Sequence, residues 1–421
     1  MVRDDGPGLT PASAGLLPAL RRWAGAADRW IRGPLPPPPA ALRRGPPARG
    51  AFDSKLRSPR LTSLLGLALA VAFAICFVTG LISHLIQHPP GWFGWPSRPV
   101  GLYRVTQGLH VATGLASVPL LGAKLWSVYP RLFGWPPVRN PAHAIERISI
   151  AALVAASLFQ VISGILNISR WYTPMPFFFT AGHYWAAWLA IGALLSHIGV
   201  KLPIIRQALT RATPDRTEPG GLTRRGLLGT VGAAAGVITL ATAGQTVAPL
   251  APVSVLAPRR PGTGPQHLPV NRTAAGAGVR DAMLDPGYRL TITGPARTVR
   301  LSLTDLAALP QHTVVLPISC VEGWSATATW TGIRLRDLVA LIGVDPADAE
   351  AYVESLEARG RYRATTVPPP HLRDPFTLVA LRLGGEVLHP DHGYPARLIA
   401  PNRPGVLQTK WVTRITARST S

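Results

Sequence analysis

Five stretches of this chain are apolar over lengths that match the thickness of a lipid bilayer. They run from Leu61 to about Ile86, about Leu102 to Tyr129, Ile148 to Ile168, Tyr184 to Ile205, and Leu227 to about Leu250. A helix of ~20 apolar residues crosses the hydrocarbon. Trp92, Trp95, Trp126, Trp135, Trp171 and Trp185 fall near the ends of the stretches, where interfacial anchors sit. The fifth stretch is less hydrophobic and rich in Gly and Ala. The pattern predicts a multi-pass α-helical membrane bundle of four to five spans.

Loop charge sets the orientation. The segment after the second stretch carries Arg131, Arg139 and Arg147, and that after the fourth carries Arg206, Arg211, Arg216, Arg224 and Arg225. The other loops carry fewer, chiefly Arg98, Arg104 and Arg170. The positive-inside rule places the N-terminus in the cytoplasm and, with five spans, the C-terminal domain outside the cytoplasmic membrane. The whole chain has 43 Lys and Arg against 20 Asp and Glu, a net charge of +23, yet only 15% of its residues are charged. A basic but apolar chain of this kind points to a membrane protein with Arg-rich cytoplasmic loops. The aromatic–basic interleaving of an RNA module is missing, so no nucleic-acid partner is expected.

Composition divides the chain further. Residues 1–55 are rich in Pro, Arg, Gly and Ala and read as a disordered cytoplasmic tail. Residues 56–210 form the four-helix membrane domain, 211–250 the entry to the fifth span and the span itself, 251–285 a Pro- and Gly-rich linker, and 286–421 a folded domain. Within the last, Tyr288–Thr293 alternates and meets Gly294-Pro295, a strand and turn. Val314–Ile318, Tyr352–Leu356, Phe376–Leu383, Arg397–Ala400 and Trp411–Thr416 read as further strands, with a hairpin turn at Gly384-Gly385. Leu303–Leu309 and Arg334–Ile342 read as short helices, which makes this an α+β domain of mixed strands.

The chain has two cysteines. Cys76 lies in the first apolar stretch and reads as filler, so no disulfide scaffold follows. Cys320 falls at the end of a strand, before a Gly-containing turn, where a thiolate can face a cleft. Deprotonated sulfur is a soft ligand that binds a transition metal well. Free cysteine is also among the most buried residue types, so a packing role stands beside the ligand role.

Cys320 is followed by Gly323-Trp324 and by Trp330-Thr-Gly-Ile-Arg-Leu335. Further on come Asp391-His-Gly-Tyr-Pro-Ala-Arg397, Pro404-Gly405 and Lys410-Trp411. In type, order and spacing these motifs, from Gly287 to Arg418, resemble the molybdopterin-binding domain of the sulfite-oxidase family. The resemblance implies a molybdenum–molybdopterin cofactor with Cys320 as its thiolate ligand. It also implies Arg397, Arg403 and Lys410 as donors to the pterin phosphate, with His392 hydrogen-bonded to the pterin. Gly323, Gly393 and Gly405 would let the backbone approach the cofactor. Sulfite oxidases proper carry Asn-Arg-Arg shortly after the Cys, and that Arg helps hold the dianion. Here the segment is Glu322-Gly-Trp-Ser325, and an ionised Glu322 facing the cleft disfavours a dianion. Trp324 either walls an organic substrate, as in sulfoxide reductases of the family, or packs.

Ionisable groups inside spans are costly and usually functional. The spans hold His84, His110, His183 and His197. Four in one bundle favour haem b, for which neutral imidazole is the usual axial ligand. Counted at 1.5 Å per residue from the Arg at each cytoplasmic end, His84, His110 and His183 lie ~31–36 Å away and His197 only ~14 Å. The expected ligand pair is His110 with His183, with His84 as substitute for either. His183 and His197 stand on one helix face, ~21 Å apart in height, as in di-haem cytochromes. No other spanning His lies at the level of His197, where Lys124 is the nearest ionisable group. His197 therefore reads as structural or as lining a quinone site. The four spans resemble the cytochrome b561-like membrane subunits that serve molybdenum and nickel-iron enzymes.

The fifth span opens on Thr223-Arg224-Arg225-Gly226-Leu227-Leu228-Gly229, which resembles a twin-arginine export signal. The alternative reading is plain positive-inside charge. A domain that loads a large cofactor before export needs a route for folded protein, which makes the twin-arginine machinery an expected partner. Small residues around Ala241–Ala248 leave cleavage open. Taken together, the expectation is a membrane-bound oxidoreductase that transfers oxygen atoms to or from a small oxide or sulfite-like substrate. Lipid surrounds it, and it exchanges electrons with quinone through haem b. The rival reading is a degenerate, non-catalytic binding or scaffolding module on a membrane anchor.

Overall fold

The computed structural model describes residues 22, 40 and 54–420, apart from 55, 133–137, 139, 211–221 and 258. The tail expected over residues 1–55 lies almost wholly outside the described residues, as do Arg139, Arg211 and Arg216.

Five helices in the N-terminal half are long and apolar enough to cross a membrane. They are α1 (Pro59–Gln87), α2 (Leu102–Leu132), α3 (Pro141–Ser169), α4 (Phe179–Thr210) and α5 (Arg224–Ala243). Their ends are set by caps rather than by hydropathy. Ser58 caps α1 by accepting from the Leu61 amide at 3.2 Å, with Pro59 in the first turn. Asn140 caps α3 by accepting from the His143 amide at 2.8 Å, so α3 begins seven residues before the apolar stretch at Ile148. Thr223 caps α5 by accepting from Gly226 at 2.9 Å. The fifth helix stops at Ala243, short of the expected Leu250, because the chain folds back on itself there. The Gly244 amide bonds the Ser254 hydroxyl, and the Pro-rich Ala248–Val253 segment forms a 3-10 turn. In the bundle α1 packs on α2 and α4, α3 on α4, and α5 on α2.

The C-terminal region holds two five-stranded sheets. Their strands are β1 (Leu290–Thr293), β2 (Thr298–Leu301), β3 (His312–Ser319), β4 (Ser325–Arg334), β5 (Ala349–Ser355), β6 (Ala364–Val367), β7 (Leu378–Leu383), β8 (Glu386–Val387), β9 (Arg397–Ile399) and β10 (Val412–Ser419). One sheet runs β2-β1-β10-β5-β6, antiparallel except for β1 beside β10, which pair in parallel with Ile292 opposite Ile415. The other runs β3-β4-β7-β8, with β9 also on β7. The larger core, including Leu290, Ile292, Val353 and Ile415, fills one face of the first sheet, and a second core forms around Trp330, Ile318 and Cys320. The strand expected at Val314–Ile318 is β3, and its end delivers Cys320 into the turn that leads to β4.

The stretch expected as a linker, 251–285, is built into this domain from about Pro265 onward. Leu268, Ala274, Val279 and Met283 are buried, and the last three pack against Trp411. Its Pro and Gly content reads as a tether because composition does not register the apolar residues that anchor it.

Candidate functional site

The turn between β3 and β4 is tight. The Cys320 amide donates to the Trp324 carbonyl at 2.9 Å, and the Gly323 amide to the Cys320 carbonyl at 3.0 Å. Cys320 is 5% exposed and lines a cavity of about 320 Å³ with Trp324, His392, Arg397, Thr409 and Lys410. Its Sγ accepts from Asn271 Nδ2 at 2.8 Å, and Asn271 Oδ1 accepts from Trp324 Nε1 at 3.2 Å. Burial, then the neighbouring Glu322, pushes the thiol well above its ordinary range. A bound cation reverses this, since metal coordination deprotonates a thiol outright.

The opposite wall is cationic. Arg397 Nη1 donates to the His392 carbonyl at 3.1 Å, and its guanidinium lies 5.3 Å from the Trp330 ring. Burial lowers the Arg397 pKa to about 9. Lys410 Nζ donates to the Asp391 carbonyl at 2.9 Å and to the Arg272 carbonyl. Burial, then the Arg397 charge, lowers its pKa to about 7. His392 is held neutral, its pKa lowered to about 4 chiefly by burial, and its Nε2 donates to the Pro265 carbonyl at 2.7 Å. Arg397 Nε, Gln408 Oε1 and Thr409 Oγ1 are buried along this cavity without hydrogen-bond partners. Unpaired polar atoms beside the buried Arg397 and the half-buried Lys410 fit an anionic, hydrogen-bonding ligand, as a pterin phosphate is.

Four expected site residues take other places. Arg403 bonds Thr365 Oγ1 at 3.1 Å and the Thr366 carbonyl at 2.9 Å, both on β6, and does not line the cavity. Glu322 does not line the cavity: it lies behind the turn, its Oε1 3.5 Å from Arg170 Nε at the end of α3, beside Asn271 and Trp324 and close enough to act on Cys320. Burial raises the Glu322 pKa to about 7. Gly323 has φ +97, and a Cβ on it would come within 2.5 Å of the Val111 side chain on α2. Its small size serves the approach of the bundle rather than of a cofactor. Gly393 makes room in turn for the side chains of Lys410 and Arg397, which a Cβ there would meet at 3.0 and 3.2 Å. Gly405 stays on the cavity wall. Trp324 lines the cavity and is tied to Asn271, so it both packs and walls.

A second cavity, of about 200 Å³, lies between α1, α2, α3 and α4. The structure brings His110 and His183 together there, ring centroids 6.2 Å apart at 70°. His110 Nδ1 donates to the Cys76 carbonyl at 2.9 Å, and His183 Nδ1 bonds Ser163 Oγ at 2.9 Å. Each ring thus keeps its Nε2 for another partner. Gly80 admits the His110 ring, since a Cβ there would lie 3.0 Å from its Cε1. His84 stands in the same cavity but stacks on Tyr184 at 3.7 Å and on His88 at 4.7 Å. His197 does not line it. Among the described residues no cluster of three or more His, Cys, Asp or Glu could hold a metal ion by itself.

The two cavities share a wall. Cys320 lines the one and Val321 the other. Gln107, one helical turn before His110, donates from Nε2 to the Val321 carbonyl at 2.8 Å. The end of α5 joins this wall: Thr246 Oγ1 donates to the Gly323 carbonyl, and the Ser325 amide to the Gln245 carbonyl at 2.7 Å. Sequence reasoning missed Asn271, Gln107 and His88. Only His88 carried a signal, being four residues after His84 and so on the same helix face.

Residues 278–421 match the oxidoreductase molybdopterin binding domain family. The mitochondrial sulfite oxidase of Mus musculus is 31% identical over 164 residues, which are 32% of this chain and 30% of that protein. The nitrate reductase [NADH] of Ulva prolifera is 30% identical over 158 residues, 30% of this chain and 18% of that protein. The sulfane dehydrogenase SoxCD of Paracoccus pantotrophus aligns at 26% identity and a TM-score of 0.29, covering 32% of this chain and 38% of the other. The chain spans less than a third of the length of the mouse and algal relatives. With the cysteine, the cationic wall and the family match on the same residues, the C-terminal third of this chain is an oxidoreductase molybdopterin-binding domain of the sulfite oxidase family.

Proposed function

We propose that this chain is a membrane-bound molybdenum oxidoreductase that carries out oxygen-atom transfer outside the cytoplasmic membrane and exchanges electrons with quinone through haem b. The observation that carries the reading is the shared wall: consecutive residues, Cys320 and Val321, line the two cavities. When bound, a molybdenum–pterin group supplies two-electron oxygen-atom chemistry and a haem supplies one-electron carriage.

The chain's own residues would hold both groups. Cys320 would be the protein's thiolate to the metal, with Asn271 fixing its sulfur. Arg397 and Lys410 would meet the anionic part of the pterin, and Gln408 and Thr409 would find their missing partners there. His110 and His183, whose ring centroids are 6.2 Å apart and whose Nδ1 atoms are engaged elsewhere, would hold the haem iron through their Nε2 atoms. Their Nδ1 hydrogen bonds would fix tautomer and ring orientation, as the outer partners of metal-bound histidines do. The surrounding helix faces are apolar and would keep water from both rings.

The substrate class is a small S- or N-oxide, reduced, or a sulfite-like anion, oxidised. Arg170 beside Glu322 offsets in part the charge that acts on Cys320, which weakens the argument against an anion at the metal, and Trp324 offers a flat wall to an organic oxide. The pair Arg224-Arg225, in the first turn of α5, would serve export through the twin-arginine machinery. The test is a reduced-minus-oxidised spectrum of purified membranes, with molybdenum analysis, before and after adding candidate oxides and sulfite. A b-type band that responds to one substrate class is expected. Membranes holding neither molybdenum nor a b-type band would sink the reading.

A further inference from the structure

The bundle cavity has an oddity of charge. Its lining is apolar with a few neutral polar groups, and no Arg or Lys is among the described residues that line it. A porphyrin of the b type carries two carboxylates, and an anion at the edge of an apolar cavity is costly without a cation or hydrogen-bond donors. The cation that reaches the rim comes from the other domain. Arg361, in the loop between β5 and β6, places Nη2 at 3.2 Å from His88 Nε2, and its guanidinium lies 4.7 Å from the Phe178 ring. Beside it, Tyr362 donates its hydroxyl to Gln87 Oε1 at 3.5 Å. Gln87 and His88 line the bundle cavity, whereas Arg361 and Tyr362 line the molybdopterin cavity. Among the described residues Arg361 has no carboxylate partner, while its neighbour Arg272 is paired with Glu357.

We propose that Arg361 and His88 form a carboxylate-binding site at the rim of the bundle cavity that takes an acid side chain of the porphyrin. The molybdopterin domain thereby completes the haem pocket with its own arginine. This rests on the haem reading above and adds to it the partner of the haem's acidic edge. The molybdopterin cavity already has Arg397 and Lys410 for its own anion, so Arg361 is the cation left for the bundle side. Its charge near the haem favours the reduced form, which carries one positive charge fewer on iron.

The test uses the full chain in detergent, with redox potentiometry of the b-type band and the rate of haem loss to an apoprotein acceptor. Arg361→Gln is expected to keep molybdenum and the b-type band, lower the haem midpoint potential and speed haem loss. Arg361→Lys is expected to restore the potential in part. Arg359→Gln, an exposed arginine of the same loop, is the control. A potential and loss rate in Arg361→Gln that match the Arg359→Gln control overturn the proposal while leaving the haem reading intact. The same holds if only the KM for an anionic substrate changes, which assigns Arg361 to the other cavity. A wild-type protein that lacks any b-type band overturns both.

Discussion

Gln107 on α2 donates a 2.8 Å hydrogen bond to the carbonyl of Val321, the residue after Cys320, across 214 positions of sequence. Gln107 is 6% exposed, so the bond is not exchanged for water. One helical turn further along α2 is His110. This side chain thus ties the turn that follows Cys320 to the helix that carries His110.

Gln107→Leu should leave the Val321 carbonyl buried and unpaired, at a cost of about 1–3 kcal/mol. We expect a lower melting temperature, a retained b-type band and slower reduction of that band by substrate-reduced protein. Stopped-flow absorbance checks this. An unchanged rate in a protein of wild-type stability would remove Gln107 from the coupling.

The thiolate and its hydrogen-bond partner should separate by degree. Cys320→Ser is expected to abolish turnover and strip molybdenum from the protein, measured by metal analysis. Asn271→Ala removes the 2.8 Å bond to Sγ and the acceptor of Trp324. Loss of such an outer partner costs roughly 10–100-fold in metal affinity or activity. Equal metal content and equal turnover in Asn271→Ala and wild type would show that the bond is incidental.

The four histidines of the bundle divide into two classes. His110→Ala and His183→Ala should each lose the b-type band. His84→Ala, which breaks only ring stacking with Tyr184 and His88, and His197→Ala, outside the cavity, should keep it. Difference spectra of the four variants decide the pairing, and a band surviving in His110→Ala or His183→Ala would contradict it.

The fifth helix should stay attached. Ala241, Thr242 and Gln245 are buried, Thr246 and Gln245 bond the turn that follows Cys320, and Arg104 donates to the Thr246 carbonyl at 2.6 Å. A protease acting near Ala243 would have to pull this segment out of the interface. Intact-mass measurement of protein carrying tags at both ends should give one uncut chain. A product cut between Ala243 and Ala248 would refute the packing argument.

Acid should destabilise the molybdopterin domain through His371. This ring is 1% exposed, and burial, then the Arg403 charge, lowers its pKa from 6.5 to about 3. Between those values the unfolded chain binds a proton that the folded one refuses, so stability rises with pH across the window and is lost as pH falls. The slope reaches about 1.4 kcal/mol per pH unit. Replacing His371 with Gln should flatten the pH dependence of the denaturation midpoint between pH 6 and 4. An unaltered slope would place the acid sensitivity elsewhere.

Much of the domain was readable along the chain. Alternation and turn residues located β1, β3, β5 and β7, and the hairpin at Gly384-Gly385. They passed over β4, whose Ser325-Ala-Thr-Ala-Thr run alternates but carries only small Ala on its apolar side before Trp330, and the four-residue β2 and β6. These strands form because neighbours on both sides or at an edge supply their hydrogen bonds, as β3 and β7 do for β4. Cap residues, not hydropathy, moved the start of α3 from Ile148 to Pro141, since a helix continues into polar turns as long as its backbone is satisfied.

The sequence by itself determined five apolar helices, a cysteine at a strand end in a recognisable motif context, and which histidines share a level. Those properties depend on local composition, on period and on counting residues at a known rise. Only the tertiary structure decided that Glu322 faces Arg170, that Arg403 hydrogen-bonds β6, that Gly323 yields to Val111, and that Asn271 reaches Cys320. Each of these joins segments brought side by side by chain closure over tens to hundreds of residues. No local pattern encodes such a meeting, because it is selected by packing and hydrogen-bond satisfaction of the whole interface at once.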